Sequence, residues 1–232
     1  MRETFDAQLT QLREELRNMG MLCQTAIASA AQALEKGDME LARQAIAADE
    51  EIDQAEREIE RLCLKLLLQQ QPVARDLRQI SSALKMITDM ERIGDQAAEI
   101  SEIVRYSTPS RFPAERQHIL AMAEATCRMV TQSVEAYVQR DLKLAREVIL
   151  SDDTVDDLFS EVKSDLIHLI AKAPGCGEQA LNFLMIAKYL ERIGDHATNV
   201  AEWVEFSILG RHPEYDPETP DLPKNWKNPG NG

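Results

Sequence analysis

The sequence predicts an all-α fold of two tandem, pseudo-symmetric three-helix bundles made of long antiparallel helices. Three observations predict it. Hydrophobic residues make up 44% of the chain and aromatic residues only 5%, which suits helices packed through Leu, Ile, Met and Ala better than β-sheets. Apolar residues recur at spacings of three and four over long segments, which is the helical period. The same plan then appears a second time along the chain, which indicates duplication.

The first predicted helix runs from Thr4 to Lys36. Its apolar residues alternate spacings of four and three, the pattern of helices that pack nearly parallel to one another. Gly37 is expected to end this helix, and Asp38 to cap the next one. The predicted buried seam comprises Phe5, Leu9, Leu12, Leu16, Met19, Cys23, Ala26, Ala30 and Ala33.

A second helix is expected to reach Gln70, and Pro72 marks the turn that follows it. The third helix then extends to the stretch 107–113, which is rich in serine and proline and interrupts the pattern. The positions predicted to face the core are Ile52, Ile59, Leu62 and Leu66 in the second helix, and Leu77, Ile80, Leu84, Ile87, Ala97 and Val104 in the third.

The second half of the chain repeats this plan. A fourth helix covers 116–140, with Ile119, Met122, Met129 and Ala136 facing inward. Asp141 is expected to cap a fifth helix that reaches Lys172. The sixth helix ends near Leu209, after a turn formed by Pro174, Gly175 and Gly177.

The duplication is also visible in the letters of the sequence. Glu-Arg-Ile-Gly-Asp at 91–95 recurs at 191–195, a shift of 100, and Asp38, Leu41, Ala42 and Arg43 match residues 103 positions later. We therefore predict a first repeat at 1–108 and a second at 113–209. Residues 210–232 form a proline-rich tail, expected to be extended or disordered because proline prevents helix formation and few apolar residues remain.

The charge balance of the chain indicates which kinds of binding partner it favours and which it repels. Forty acidic and 26 basic residues give a formal charge of −14, which repels nucleic acids and anionic membrane surfaces and favours cations and basic protein surfaces as partners. No signal peptide or long apolar run is present, so no direct membrane insertion is expected. The four cysteines lack CxxC spacing, which is typical of reduced thiols in a cytoplasmic protein.

Among the acidic residues at spacing i, i+4, four pairs recur at matching positions in the two halves. At this spacing both carboxylates share one helix face and repel each other. Gly94 and Gly194, inside predicted helices, each cost about 1 kcal/mol relative to alanine. Two unfavourable choices that occur together twice indicate a function. The pairs are Asp49 with Asp53, Glu91 with Asp95, Asp152 with Asp156, and Glu191 with Asp195.

The spacing of these pairs about the turns predicts that they meet. Counted from a turn near residue 72, Asp53 and Glu91 lie at nearly the same height in antiparallel helices, and Asp156 and Asp195 do so about Gly175. Converging carboxylates bind hard or intermediate cations such as Mg²⁺, Mn²⁺, Ca²⁺ or iron. The alternative is a solvated acidic face neutralised by Arg92 and its equivalent.

Catalytic motifs are absent from the sequence. It contains no phosphate-binding glycine loop, no GxSxG, no Cys/His constellation and no Glu-x-x-His, so we expect neither catalytic nor cofactor-binding residues and no enzyme activity. His196 adjoins Asp195 and is a weaker candidate ligand, because Gln96 stands at the equivalent position.

The duplicated plan, the twin Glu-Arg-Ile-Gly-Asp motifs and the Asp-x-x-x-Asp pairs together resemble the PhoU family of phosphate-transport accessory proteins, over about residues 1–209. The resemblance implies a homodimer that binds metal ions through these motifs, sometimes as iron or zinc clusters. Together with the carboxylate chemistry, the candidate ions are Mg, Mn, Fe or Zn. Carried over by position, the metal ligands are Asp49, Asp53, Glu91, Asp95, Asp152, Asp156, Glu191 and Asp195.

The resemblance also implies a role. Such proteins link the ATPase of the phosphate ABC transporter to the PAS-containing cytoplasmic region of a sensor histidine kinase, repress the phosphate-starvation response and restrain excess uptake. They are cytoplasmic and are recruited to the membrane through protein partners. The alternatives are a carboxylate-bridged metalloenzyme, a regulator of a different transporter, and a structural bundle without a ligand.

Overall fold

The computed structural model describes residues 2–70, 72–106, 116–173 and 175–211, and these residues form six helices and no strand. None of these described helices is both long and apolar enough to cross a membrane. The predicted all-α class is confirmed. The helices are α1 (Arg2–Lys36), α2 (Met39–Gln70), α3 (Ala74–Tyr106), α4 (Arg116–Gln139), α5 (Leu142–Lys172) and α6 (Gly177–Leu209).

The predicted seam of α1 is buried at every one of its nine positions, from Phe5 to Ala33. The predicted end of α1 and the predicted caps of α2 and α5 are also confirmed. Gly37 has φ 66°, the left-handed conformation that stops a helix. Asp38 Oδ1 accepts from the backbone N–H groups of Glu40 and Leu41, and Asp141 Oδ1 accepts from those of Lys143 and Leu144. Local sequence therefore sets where α2 and α5 begin.

Two expectations at the ends of helices were wrong. Leu77, expected in the core, is 46% exposed, because it lies in the first turn of α3 at the end of the bundle. Gly177 begins α6 instead of belonging to the turn before it. Pro174, the stretch 107–115 and most of the expected proline-rich tail (212–232) lie outside the described residues.

Each half is a three-helix bundle, and four of the six helices join the halves into one core. In the first half α2 packs on α1 and α3, and in the second α5 packs on α4 and α6. Further contacts run from α1 to α4 and from α3 to α6. The helices α1, α3, α6 and α4 thus form a closed ring, with α2 and α5 on its outside. One continuous group of buried apolar side chains fills both halves.

The α3–α6 contact carries polar side chains related by the internal repeat. Asp89 Oδ1 accepts from His196 Nδ1 at 2.9 Å and from Asn199 Nδ2 at 3.1 Å. Tyr189 Oη donates to Glu99 Oε2 at 3.4 Å. Positions 89 and 189 are equivalent, as are 99 and 199, so the two contacts obey the pseudo-two-fold symmetry although their chemistry differs.

Candidate functional site

The first group of predicted ligands lies where α2 crosses α3. We call Asp49, Asp53, Glu91 and Asp95 the first cluster. A Cβ built on Gly94 would lie 3.0 Å from Asp49 Oδ1 and 2.9 Å from Ile52 Cδ1. A side chain at position 94 would therefore require Ile52 or Asp49 to shift, so the two helices approach closely at Gly94.

The electrostatics of the first cluster reflect this proximity. Burial raises the pKa of Asp49, and the negative charges of Asp95 and Asp53 raise it further. Burial likewise raises the pKa of Glu91, with added contributions from Asp95 and, more weakly, Asp53. Asp49 is thus influenced by Asp95, and Glu91 by Asp53, across the crossing of α2 and α3, so the two acidic pairs face each other.

One oxygen of the first cluster is without a partner. Within the described residues, Asp49 Oδ1 is buried and accepts no hydrogen bond. Arg92 compensates only part of the cluster, through Asp95 Oδ2 at 2.7 Å and Glu91 Oε2 at 3.3 Å, and its side chain is 54% exposed. Exposed ion pairs of this kind contribute little, at most about 1 kcal/mol. The buried oxygen is therefore a place where a cation would be favourable.

A fifth carboxylate, Glu56, belongs to the same surface and was missed from the sequence. Burial raises its pKa, followed by the charge of Asp53, and Glu56 in turn raises the pKa of Glu91. It lies three residues after Asp53, and that spacing on one helix face would have identified it. The equivalent position in the second repeat is Phe159, so this acidic residue is not duplicated.

The second group of predicted ligands lies where α5 crosses α6. We call Asp152, Asp156, Glu191 and Asp195 the second cluster. Burial raises the pKa of Asp152 to about 6, and the charges of Asp195 and Asp156 act in the same direction. Burial also raises the pKa of Asp195, followed by the charge of Glu191. This repeat therefore also brings its two acidic pairs face to face.

The two clusters differ in packing and in their basic neighbours. A Cβ on Gly194 would lie 3.4 Å from both Asp152 Oδ1 and Val155 Cγ1, an ordinary contact, so glycine is not required there for close approach. Lys188 Nζ lies 2.6 Å from Glu191 Oε1 and takes the neutralising role that Arg92 has in the first cluster. Because His196 bonds Asp89, it is turned toward α3.

The eight residues supply carboxylate oxygens, the donors that a hard cation prefers. Their arrangement, however, allows an ion to bind only if side chains move. Among the described residues, no three His, Cys, Asp or Glu side chains converge closely enough to hold a metal ion as they stand. An ion at either cluster would therefore require carboxylate side chains to turn toward it, which these partly exposed aspartate and glutamate side chains can do. The role of the eight residues as metal ligands stays a prediction.

Comparisons with known proteins agree with this architecture. The family model "PhoU domain" matches residues 16–104 and 119–204. The phosphate-specific transport system accessory protein PhoU homolog of Clostridium acetobutylicum is 37% identical over 216 residues, with 90% of this chain and 96% of the relative covered. The homolog of Pseudomonas aeruginosa is 34% identical over 212 residues, covering 90% and 86% of the two chains.

Two solved structures are also similar. The crystal structure of PhoU from Pseudomonas aeruginosa has a TM-score of 0.82 at 34% identity, and covers 89% of this chain and 100% of that one. The phosphate transport system regulatory protein PhoU from Streptococcus pneumoniae has a TM-score of 0.83 at 25% identity, covering 90% and 98%.

Proposed function

Because the chain belongs to the PhoU family, we propose that it is a non-enzymatic regulator of bacterial phosphate homeostasis. It links the phosphate ABC transporter to a sensor histidine kinase, represses the phosphate-starvation response and limits phosphate uptake. The observation that carries this proposal is similarity along nearly the whole length of both chains to phosphate-specific transport system accessory proteins. The duplicated acidic clusters, whose members are all carboxylates, support a binding role instead of catalysis.

The proposed metal sites are the two carboxylate clusters. A divalent or trivalent ion (Mg, Mn, Fe or Zn) would supply positive charge between facing aspartates and glutamates, and so offset repulsion that the metal-free protein sustains. Such an ion would join α2 to α3 and α5 to α6. The raised pKa of Asp49 and Asp152 and the unpartnered Asp49 Oδ1 support this assignment.

The proposed partners are the transporter ATPase, the PAS-containing cytoplasmic region of the kinase, and a second copy of the chain. The long helices offer extended faces for protein contacts, and the charge of −14 favours basic protein surfaces. In this proposal the protein works in the cytoplasm and reaches the membrane through its partners.

Deletion of the gene tests the regulatory role directly. We expect a reporter driven by a phosphate-starvation promoter to become active in phosphate-rich medium, and to return to its repressed level when the gene is restored. Pull-down with the transporter ATPase and with the kinase region should recover both partners. An unchanged reporter in the deletion strain would contradict the proposed function.

Elemental analysis tests the metal sites separately. We expect protein purified without chelator to carry metal, and the double variant Asp49→Asn with Asp152→Asn to lose most of it. The control is Glu50→Gln, which removes the same kind of charge from an exposed neighbour of Asp49. Equal metal content in the double variant and the control would exclude the clusters as the sites, and leave the regulatory role untouched.

A further inference from the structure

Four arginines gather at the end of the ring where α3 begins and α4 ends. Arg13 lies on α1, Arg75 and Arg78 lie in the first turns of α3, and Arg140 directly follows α4. Burial lowers the pKa of Arg140, and the positive charges of Arg75, Arg13 and Arg78 lower it further. We call these four residues the arginine cluster. Like charges are thus held near one another in a chain whose net charge is −14.

Two neighbouring side chains hold the cluster in place. Arg13 Nη2 donates to Gln79 Oε1 at 3.2 Å, and Tyr137 Oη donates to the main-chain oxygen of Gln79 at 2.9 Å. Gln79 follows Arg78 directly, and Tyr137 lies less than one turn before Arg140. Hydrogen bonds between α1, α3 and α4 therefore bring the arginines together in the folded chain.

The four arginines have no acidic partner among the described residues. In the part of the chain that the structure describes, none of the ion pairs within 4 Å includes any of the four, although Asp76 lies in the same turn of α3 as Arg75. Arg78 Nε and Arg140 Nη1 are buried and form no hydrogen bond there. Arg140 follows the C-terminus of α4, where a cation is favourable, but unpaired buried donors are unfavourable, and so are the cations Arg75 and Arg78 at the N-terminus of α3. An anion bound between the arginines would accept hydrogen bonds from the unpaired donors and neutralise the positive charges.

The internal repeat offers a comparison for this end of the ring. Arg140 has φ 58°, and the equivalent residue of the first repeat has φ 66°. The left-handed conformation suits glycine and is unfavourable for arginine. Because arginine is unfavourable in the backbone conformation of this turn, its presence indicates that the side chain has a function. Three of the four arginines are replaced at the equivalent positions of the other repeat, Arg140 by Gly37, Arg75 by Gly175 and Arg78 by Glu178, whereas the counterpart of Arg13 is Arg116.

We propose that the arginine cluster binds a small tetrahedral oxyanion of the phosphate class. Guanidinium groups donate paired N–H bonds to phosphate oxygens and keep their charge at every physiological pH. The rest of the molecule is acidic and repels extended anionic surfaces, so a free anion fits this site better than a lipid headgroup. The inference is independent of the carboxylate clusters and of the regulatory role.

Titration with inorganic phosphate tests the site. The full-length protein is freed of metal with a chelator, so that phosphate cannot bind through a cation at the carboxylate clusters, and calorimetry is done at low ionic strength. We expect phosphate to bind and sulfate to compete with it. Arg140→Gly should weaken phosphate binding about ten-fold or more while the fold is kept, because glycine suits the left-handed turn. Arg78→Glu, which introduces the residue of the other repeat, should abolish binding.

The matched control is Arg128→Gln on the same helix, α4. It removes one positive charge from an exposed arginine paired with Glu124, far along the helix from the cluster, and should leave phosphate affinity within about two-fold. The proposal is overturned if wild-type protein gives no binding, or if Arg140→Gly behaves like the control. Binding to phosphatidylglycerol vesicles, but not to free phosphate, would also overturn it, in favour of a membrane surface.

Discussion

Gly94 and Gly194 occupy equivalent positions in the repeat but meet different surroundings. A Cβ on Gly94 would lie within 3.0 Å of Asp49 Oδ1 and fully buried Ile52, whereas the nearest atoms to a Cβ on Gly194 are 3.4 Å away. Only the first glycine is required by a close helix crossing. The second is explained neither by space nor by its backbone conformation.

This difference predicts opposite effects of alanine at the two positions. Gly94→Ala should destabilise the protein by about 1–2 kcal/mol, because crowding outweighs the gain in helix propensity. Gly194→Ala, the matched control, should be neutral or stabilising by up to about 1 kcal/mol. Urea unfolding of both variants measures the difference. Equal effects would show that α2 and α3 are no closer at their crossing than α5 and α6.

The raised pKa of Asp152 predicts how the stability of the metal-free protein depends on pH. Its pKa is raised from 3.8 to about 6 by burial and by the neighbouring carboxylates, so the folded state binds the proton more tightly than the unfolded state does. The stabilisation from protonation is fully present below the unfolded pKa and is lost as pH rises through the folded one. Metal-free protein should therefore lose stability between about pH 4 and pH 6 on account of this residue.

Thermal unfolding across that range checks the prediction. The variant Asp152→Asn cannot ionise, so its loss of stability with rising pH should be smaller than that of wild type. A steeper decline in the variant would contradict the assigned direction.

At the scale of elements, the turns that start α2 and α5 use the same device. In each, a left-handed residue is followed by an aspartate whose Oδ1 accepts two backbone N–H groups of the next helix, as with Asp141, Lys143 and Leu144. These donors have no partner within the helix, so the cap satisfies them and fixes where the helix begins.

Removal of this cap should weaken α5 measurably. We expect Asp141→Ala to destabilise the protein by about 1 kcal/mol, and Asp141→Asn to have a smaller effect, because asparagine is also a good N-cap. Chemical denaturation of the two variants compares them directly. A loss as large in the asparagine variant would mean that the charge, and not the cap, stabilises the turn.

At the scale of the whole molecule, the ring of α1, α3, α6 and α4 makes the two repeats depend on one another. Each repeat alone would leave the inner faces of two helices uncovered, since α3 packs on α6 and α1 packs on α4. A shared core of this kind predicts one cooperative unfolding transition.

A substitution in one repeat should therefore be detected in the other. Met19 is fully buried on α1, and Trp203 lies on α6. With Trp226→Phe as background, Met19→Ala should shift the Trp203 fluorescence transition and the circular dichroism transition to the same lower denaturant concentration. Two separate transitions would show that the repeats unfold independently.

Local sequence was sufficient to predict the helices and the facing acidic pairs. The period of the apolar residues, Gly37 and the capping aspartates defined the helix ends, because caps and amphipathic faces depend on neighbours within a few positions. Asp53 and Glu91 lie at nearly equal distances from the short turn between their helices. Because such a turn leaves an antiparallel pair of helices little freedom to slide, these distances placed the two residues side by side. Where the predictions were wrong, at Leu77 and Gly177, the residues lie at helix starts.

The pattern of residues along the chain is sufficient to predict a duplicated helical bundle with two acidic helix crossings. The packing of the folded chain was needed to show that α3 packs on α6, that Asp89 bonds His196, and that arginines from α1, α3 and α4 lie near one another. The physical reason is that an apolar period shows which face of a helix is buried, but not which helix covers it. Contacts between distant helices depend on the packing of the whole molecule.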